Sequence, residues 1–211
     1  EKCHGMGVDL DRFHDTALSG SEREEKRKGL GIGPDDFVMI YVAEIIDNKN
    51  QRMLIEAFET VRKTIPNAKL LLVGPEHDGG NLSALVRKRG LQKEVLFLGW
   101  RSDVPTLLYL ADVYAASSKS EGLGLNLIEA MACGLPVVAT KNRGHKEMVV
   151  HGSTGFLVDV NDSEAMAKYV LQLHNEAQLR EKLTCQAQQD IEPFGTEAAM
   201  KELVDIVTRY A

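Results

Sequence analysis

The chain has 211 residues, of which 44% are hydrophobic, and its formal net charge at pH 7 is −6. This length is sufficient for one sizeable α/β domain and short for two complete domains. The negative charge argues against broad nucleic-acid binding, because that function requires a basic face. The sequence also lacks an apolar run of membrane-spanning length.

The three cysteines, Cys3, Cys133 and Cys185, are odd in number and scattered along the chain. This pattern indicates neither a disulfide framework nor a metal-ligand set. We therefore expect no metal site and a reduced, cytoplasmic setting. Cys133 follows an apolar helical run, and we expect it to be a small buried residue.

Strand-like and helix-like patterns alternate along most of the chain. Such alternation predicts an α/β fold, namely a doubly wound, Rossmann-like parallel sheet of about six strands. The first helix contains Ser21 and Glu24 at capping-box spacing, and Ser163 is predicted to cap a later one. The predicted strands are 37–43, 70–73, 95–98, 113–116, 136–139 and 155–158, and helical patterns cover 21–30, 54–65, 82–89, 104–110, 125–133, 163–173, 176–190 and 197–210.

Residues 113–140 form the most informative stretch, with the pattern of a βαβ unit. Gly122 and Gly124 precede the helical run, Gly134 follows it, and Pro136 prevents its continuation. In an open parallel sheet, ligands bind beyond the carboxyl ends of the strands, and the start of a helix favours anions. The loop before this helix is therefore the first place to look for a ligand.

Two acids stand out in this unit. Glu129 lies in the middle of an apolar helical run, and Glu121 lies in the loop eight positions earlier. A carboxylate has two acceptor oxygens that match two neighbouring hydroxyls, as on a ribose or a hexose. Alternatively, Glu129 pairs with Lys141 or Arg143, and Glu121 is an ordinary loop acid.

Other candidates also follow strands. Lys49 comes just before a predicted helix start, where its ammonium could reach a phosphate, although it could equally be a solvated loop lysine. Gly122 and Gly124 allow the backbone to approach a ligand closely, or they serve the turn only. The six histidines show no metal-ligand spacing, and we expect each to be structural or exposed.

The segment 118–138 resembles the signature of a known family of glycosyltransferases, family 4. The features that carry the resemblance are the two acids separated by seven residues and the Gly-Leu-Pro-Val that follows them. This large family of retaining GT-B glycosyltransferases is also called glycosyl transferases group 1. The resemblance implies that the chain is the carboxy-terminal, donor-binding half of a GT-B fold. Residues 5–13 are similar to the crossover segment between the two GT-B domains, although Met6 stands where Asn is common.

The resemblance implies three parts: an interdomain crossover (1–20), a nucleotide-sugar-binding domain (21–192) and a carboxy-terminal helix (193–211). That helix would pack towards an amino-terminal acceptor domain that the chain does not include. The implied activity is retaining transfer of a hexose from a nucleotide sugar, most simply a UDP-sugar, to a saccharide or lipid-linked acceptor. By this analogy the isolated domain transfers little or no sugar, and the reaction needs no metal or other cofactor. Association with a membrane would occur only through the missing domain or a lipid-linked acceptor.

The resemblance also assigns roles to individual residues. Glu121 and Lys49 would be catalytic, Glu121 holding the transferred sugar and Lys49 the donor diphosphate. Glu129 would hold the ribose diol, and Arg101 would lie beside the nucleobase, where a plain surface arginine is equally plausible. The implied donor-binding set is Glu129, Ser120, Gly122, Leu123, Gly124, Gly74 and Arg101.

The sequence departs from the family pattern at Glu44. Family members usually have Gly-Arg after the first strand, with the Arg binding the diphosphate, whereas this chain has Ala43-Glu44. An acid there would repel phosphate unless it turns away or pairs with Lys49. This departure supports the alternative that the chain is a non-catalytic sugar-nucleotide-binding or scaffolding module of the same fold.

Overall fold

The computed structural model describes residues 7–14, 16 and 18–210. Cys3, His4, Gly5 and Met6, which entered the sequence interpretation, lie outside the described residues. Within the described part of the chain, no helix combines the length and the apolar character needed to cross a membrane.

Six parallel strands form one sheet, which confirms the predicted α/β class. Consecutive residues of the central strands, such as Val38, Met39 and Ile40, are all fully buried. Both faces of the sheet are therefore covered, as expected for a parallel sheet. The strands are β1 (Phe37–Val42), β2 (Ala68–Val73), β3 (Val95–Gly99), β4 (Val113–Ala116), β5 (Val137–Thr140) and β6 (Phe156–Val158).

Helices supply the covering layers, with α3 packed against α8 and α6 against α9. In α3 the apolar side chains recur at helical spacing, and Leu54, Phe58 and Val61 are buried in the core. The described helices are α1 (Leu10–His14), α2 (Gly20–Gly29), α3 (Gln51–Thr64), α4 (Asn81–Lys88), α5 (Val104–Leu110), α6 (Leu125–Ala132), α7 (Arg143–Met148), α8 (Ser163–Asn175), α9 (Ala177–Ile191) and α10 (Thr196–Tyr210).

The strand order is β3-β2-β1-β4-β5-β6. After β1 the chain moves outward through β2 and β3, then returns to place β4 on the other side of β1. The connections that follow β1 and β4 therefore leave the sheet in opposite directions and open a crevice between them. This is the place where open α/β sheets bind ligands.

Two predicted helix caps are wrong. The capping box uses Ser19 and Glu22, since Ser19 has extended backbone angles while Ser21 lies inside α2. Likewise, α8 is capped by Asp162, whose side chain accepts from the Ala165 N–H, and not by Ser163. In both cases the predicted cap lies one or two residues after the true cap. The errors arose because the predicted and the true residue are both of a type that can cap a helix.

Candidate functional site

The site lies at the carboxyl edge of the sheet, where the loop after β1 meets the loop after β4. Three hydrogen bonds that involve backbone groups join these loops: the Lys119 N–H donates to the Asn48 carbonyl (2.8 Å), Asn48 Nδ2 to the Ser120 carbonyl (3.0 Å), and Ser117 Oγ to the Lys49 carbonyl (2.8 Å). Each loop thus satisfies backbone groups of the other. The two segments form one surface with a fixed relative position.

Lys49 and Glu121, the two predicted catalytic residues, form an ion pair on this surface. Lys49 Nζ lies 2.6 Å from Glu121 Oε1, and the side chains are 20% and 13% exposed, respectively. The pair is partly shielded from water, so its electrostatic attraction exceeds that of a surface pair. An ammonium has three donor hydrogens, so Lys49 can keep this contact and still bind an anion.

Glu44, which stands where the family usually has Arg, does not form an ion pair with Lys49. Of the two arrangements that would keep its charge from repelling a phosphate, pairing with Lys49 is therefore not the one adopted. Its side chain is exposed, and its backbone carbonyl accepts from Gln51 Nε2 at 2.8 Å. Among the ion pairs of residues 7–14, 16 and 18–210, none includes Glu44. The charge that opposes Lys49 comes from Glu121.

The turn before α6 presents backbone donors. In the described hydrogen bonds, none of the N–H groups of residues 120–124 has an acceptor. This range contains five predicted site residues, Ser120, Glu121, Gly122, Leu123 and Gly124, and it leads into the positive end of α6. Unpaired N–H groups at a helix start form an anion-binding surface.

Glu129 lies on α6, and its carboxyl group is partly buried. Neither Lys141 nor Arg143 pairs with it, and no ion pair or hydrogen bond to its carboxylate occurs among the described residues. Burial raises the pKa of Glu129, and the Arg12 guanidinium on α1 opposes that rise. A partly buried carboxylate with no hydrogen-bond or ion-pair partner among the described residues is suited to accept hydrogen bonds from a ligand.

The remaining predicted site residues, Gly74 and Arg101, both have partners within the protein. Gly74 has a φ of +144°, and an added Cβ would collide with the Ala43 carbonyl oxygen, so glycine is needed where β2 passes the β1 loop. Arg101 donates to Asp103 through Nε (2.7 Å) and Nη2 (2.6 Å). This contact raises the pKa of Arg101 and lowers that of Asp103.

The pKa values of Cys133 and His145 are both shifted in the direction that favours the neutral side chain. Burial raises the pKa of Cys133 to about 12, so its thiol remains protonated at neutral pH. His145 is fully buried, with Nδ1 at 2.8 Å from the Thr140 carbonyl oxygen, and burial lowers the pKa of its imidazole. Among the described residues, no cluster of three His, Cys, Asp or Glu side chains is arranged to hold a metal ion.

Sequence reasoning missed Gly144, which packs against the predicted site. It begins α7 together with Arg143, and its N–H donates to the Glu121 carbonyl at 3.1 Å. An added Cβ would lie 2.9 Å from both Cβ and O of Glu121. The available signal was its position after β5, because loops that follow parallel strands meet at one edge.

We expect Gly144→Ala to destabilise the chain by about 1–3 kcal/mol, because the new methyl group collides with the backbone and Cβ of Glu121. Thermal denaturation measures this change. Gly29→Ala is the control, since no atom lies within 4 Å of its added Cβ, and we expect it to be neutral or stabilising by up to about 1 kcal/mol. Equal stability of the two variants would contradict the prediction.

Residues 22–190 match the protein family described as Glycosyl transferases group 1. The chain belongs to this family. This group 1 domain is 38% identical over 210 residues to EpsD of Bacillus subtilis (strain 168), an alignment that covers 100% of this chain and 55% of that protein. The chain spans about half the length of the curated relatives it matches.

Solved structures confirm the GT-B type of fold. The structure of Anabaena Alr3699/HepE in complex with UDP and glucose matches with a TM-score of 0.87 and 28% identity, covering 96% of this chain and 55% of that chain. The carboxy-terminal domain of a group 1 family glycosyl transferase (LpcC) from Francisella tularensis matches with a TM-score of 0.75 and 26% identity, covering 88% and 96%, respectively. The group 1 domain described here thus corresponds in extent to that carboxy-terminal domain.

Proposed function

We propose that this chain is the donor-binding domain of a retaining glycosyltransferase that transfers a hexose from a UDP-sugar to a saccharide or lipid-linked acceptor. The observation that carries the proposal is the Lys49–Glu121 ion pair beside the N–H groups that precede α6 and have no acceptor among the described hydrogen bonds. A cation, backbone donors and a carboxylate on one surface match a diphosphate joined to a polyhydroxylated ring. The HepE structure, which contains UDP and glucose, supports this ligand class.

In this proposal each group has a distinct role. Lys49 and the N–H groups of residues 122–124 stabilise the charge that grows on the leaving diphosphate, which is the electrostatic contribution expected to dominate. Glu121 holds the hydroxyls of the transferred hexose, and Glu129 holds the ribose diol. Because Lys49 and the start of α6 balance the diphosphate charge, the reaction requires no metal.

The alternative is a sugar-nucleotide-binding module without transferase activity. Glu44 favours it, since an acid stands where a diphosphate-binding Arg is usual in the family. The two functions share the donor surface and differ in turnover. Acceptor binding in the transferase would come from the missing amino-terminal domain, which by the same proposal is the partner of α10.

Calorimetry with UDP, several UDP-sugars, GDP and ADP tests the donor. We expect the chain to bind UDP and one UDP-sugar, with GDP and ADP at least about tenfold weaker, and to show little or no transfer by itself. Preferred binding of GDP would overturn the choice of base, and measurable turnover by the 211-residue chain would contradict the need for a second domain. A full-length protein that binds the donor but transfers no sugar would favour the module.

A further inference from the structure

A buried chain of hydrogen bonds connects strand β1 to Glu121. The Tyr41 hydroxyl lies 2.5 Å from Ser118 Oγ, and Ser118 Oγ lies 2.6 Å from Glu121 Oε1. Lys49 Nζ lies 2.6 Å from the same carboxylate oxygen. Thus Oε1 has two partners, and one of them continues into the core.

The direction of each hydrogen bond follows from the groups involved. An ionised carboxylate only accepts, so Ser118 donates its one hydroxyl hydrogen to Glu121. Ser118 Oγ then has only acceptor capacity left for Tyr41, and the Tyr41 hydroxyl must donate to it. The chain therefore requires a protonated phenol.

Tyr41 is well suited to that requirement. Its side chain is 1% exposed and packs edge-on against Tyr114, with the ring centroids 6.0 Å apart. Burial raises the pKa of Tyr41 far above its ordinary value, and the nearby Glu121 charge raises it further. The phenol stays protonated, and hence a donor, across the physiological pH range.

Ser118 is held equally firmly. It is fully buried, and its carbonyl oxygen accepts from Thr140 Oγ1 (2.5 Å) and from Asn142 Nδ2 (3.0 Å). Both donors belong to the end of β5 and the segment that follows it, so the serine is fixed from the side opposite to Tyr41. These contacts fix the Ser118 backbone, and the position of its hydroxyl then depends on Tyr41 and Glu121.

The second oxygen of Glu121, Oε2, has no hydrogen-bond partner among the described residues. With Oε1 fixed on two sides, the orientation of the carboxylate plane, and with it the position of Oε2, is set by the buried chain. We propose that Tyr41 and Ser118 are positioning residues that direct Oε2 of Glu121 towards the hydroxyls of the bound hexose. This inference rests on the proposed function, because it gives Glu121 the sugar as its ligand.

Tyr41→Phe tests the proposal, with Tyr114→Phe as the matched control. Both tyrosines are buried on adjacent strands, but in the described hydrogen bonds the Tyr114 hydroxyl contacts backbone atoms of Val42, at 3.3 and 3.4 Å, and no side chain. In the full-length protein we expect Tyr41→Phe to lower kcat about tenfold or more with KM changed less than threefold, because a carboxylate that is free to turn stabilises the transition state less well. We expect Tyr114→Phe to change both parameters less than twofold.

A double-substitution cycle separates positioning from general loss of stability. If Tyr41 acts through Glu121, Tyr41→Phe has no further effect on kcat once Glu121→Gln is present. Additive effects, or equal losses in the two tyrosine variants, would overturn the proposal. Should Tyr41→Phe fail to fold, Ser118→Ala removes the hydrogen bond to Glu121 Oε1 itself, and the same results are expected of it.

Crystal structures of the chain supply a readout that does not depend on the ligand. We expect the Glu121 carboxylate to turn away from its present position in Tyr41→Phe and to remain in place in Tyr114→Phe. An unmoved Glu121 in Tyr41→Phe refutes the positioning role even if the protein binds a UDP-sugar. Conversely, a parent chain that binds no nucleotide sugar refutes the proposed function, whatever position Glu121 adopts.

Discussion

Glu121→Gln in the full-length protein is expected to lower kcat/KM by about 100-fold to 1000-fold, the loss typical when a preorganised polar contact to a transition state is removed. The glutamine has the same shape, and its carbonyl oxygen can still accept from Ser118. What it lacks is the negative charge that strengthens hydrogen bonds from the sugar hydroxyls. The affinity for UDP is expected to stay equal or rise, because Lys49 loses its counter-charge and becomes fully available to the diphosphate.

Kinetics of transfer and calorimetry with UDP measure these two effects separately. Asp47→Asn is the control: it removes a charge from the same loop as Lys49, but its side chain is 94% exposed and pairs with Lys119. We expect Asp47→Asn to change turnover and UDP affinity less than threefold, since exposed pairs contribute little. Retention of more than a third of the parent activity in Glu121→Gln would exclude the proposed role.

Glu129→Gln is expected to weaken nucleotide binding and to stabilise the free protein. Hydrogen bonds to a charged acceptor are stronger than those to a neutral amide, so losing the charge opposite a ribose diol weakens UDP binding by about 10-fold to 100-fold. In the free protein the same carboxylate is partly buried with no partner among the described residues, and its pKa is raised. Removing its charge therefore increases the free energy of unfolding near neutral pH.

The pH dependence of stability distinguishes this effect from a change in packing. Since the pKa of Glu129 is higher in the folded state than in the unfolded state, the carboxyl group costs stability as the pH rises through that interval. The Glu129→Gln variant is thus expected to have a larger free energy of unfolding than the parent at neutral pH. This difference should disappear towards pH 4.5, the ordinary pKa of a glutamate side chain.

Thermal denaturation at several pH values, together with calorimetry, provides the measurement. Glu181→Gln on α9, an exposed carboxylate, should leave both quantities nearly unchanged. A Glu129→Gln variant that binds UDP as tightly as the parent would contradict the role proposed for Glu129 at the ribose diol.

Much of this fold was predictable because its local signals agree with one another. The apolar runs of β1, β4 and β5 and the Gly and Pro positions around α6 define the βαβ units, and a parallel sheet then brings Lys49 and Glu121 to one edge. The predicted limits of α5, residues 104–110, coincide with the observed helix. Errors arose where neighbouring residues offer equivalent chemistry, as at the cap of α2.

The supporting residues of the site were not predictable in the same way. Tyr41 belongs to an unbroken apolar strand, where an aromatic residue is expected to be a core residue. Nothing in the sequence of this strand shows that the Tyr41 hydroxyl contacts Ser118. Gly144 lies in α7, a six-residue helix too short for a periodic signal. Such contacts depend on the packing of loops from different strands, which only three-dimensional coordinates provide.

The strand order has a consequence for how the domain withstands unfolding. Lys49 and Glu121 lie 72 positions apart in the chain and belong to the loops after β1 and β4, on either side of the point where the strand order reverses. A donor that contacts both loops would act as a removable cross-link between the first and second halves of the sheet, favouring only those states in which the halves are joined. At a hundredfold excess over its Kd, such a ligand adds about 2.7 kcal/mol to the free energy of unfolding, so the lifetime of this domain against proteases would follow the supply of its donor.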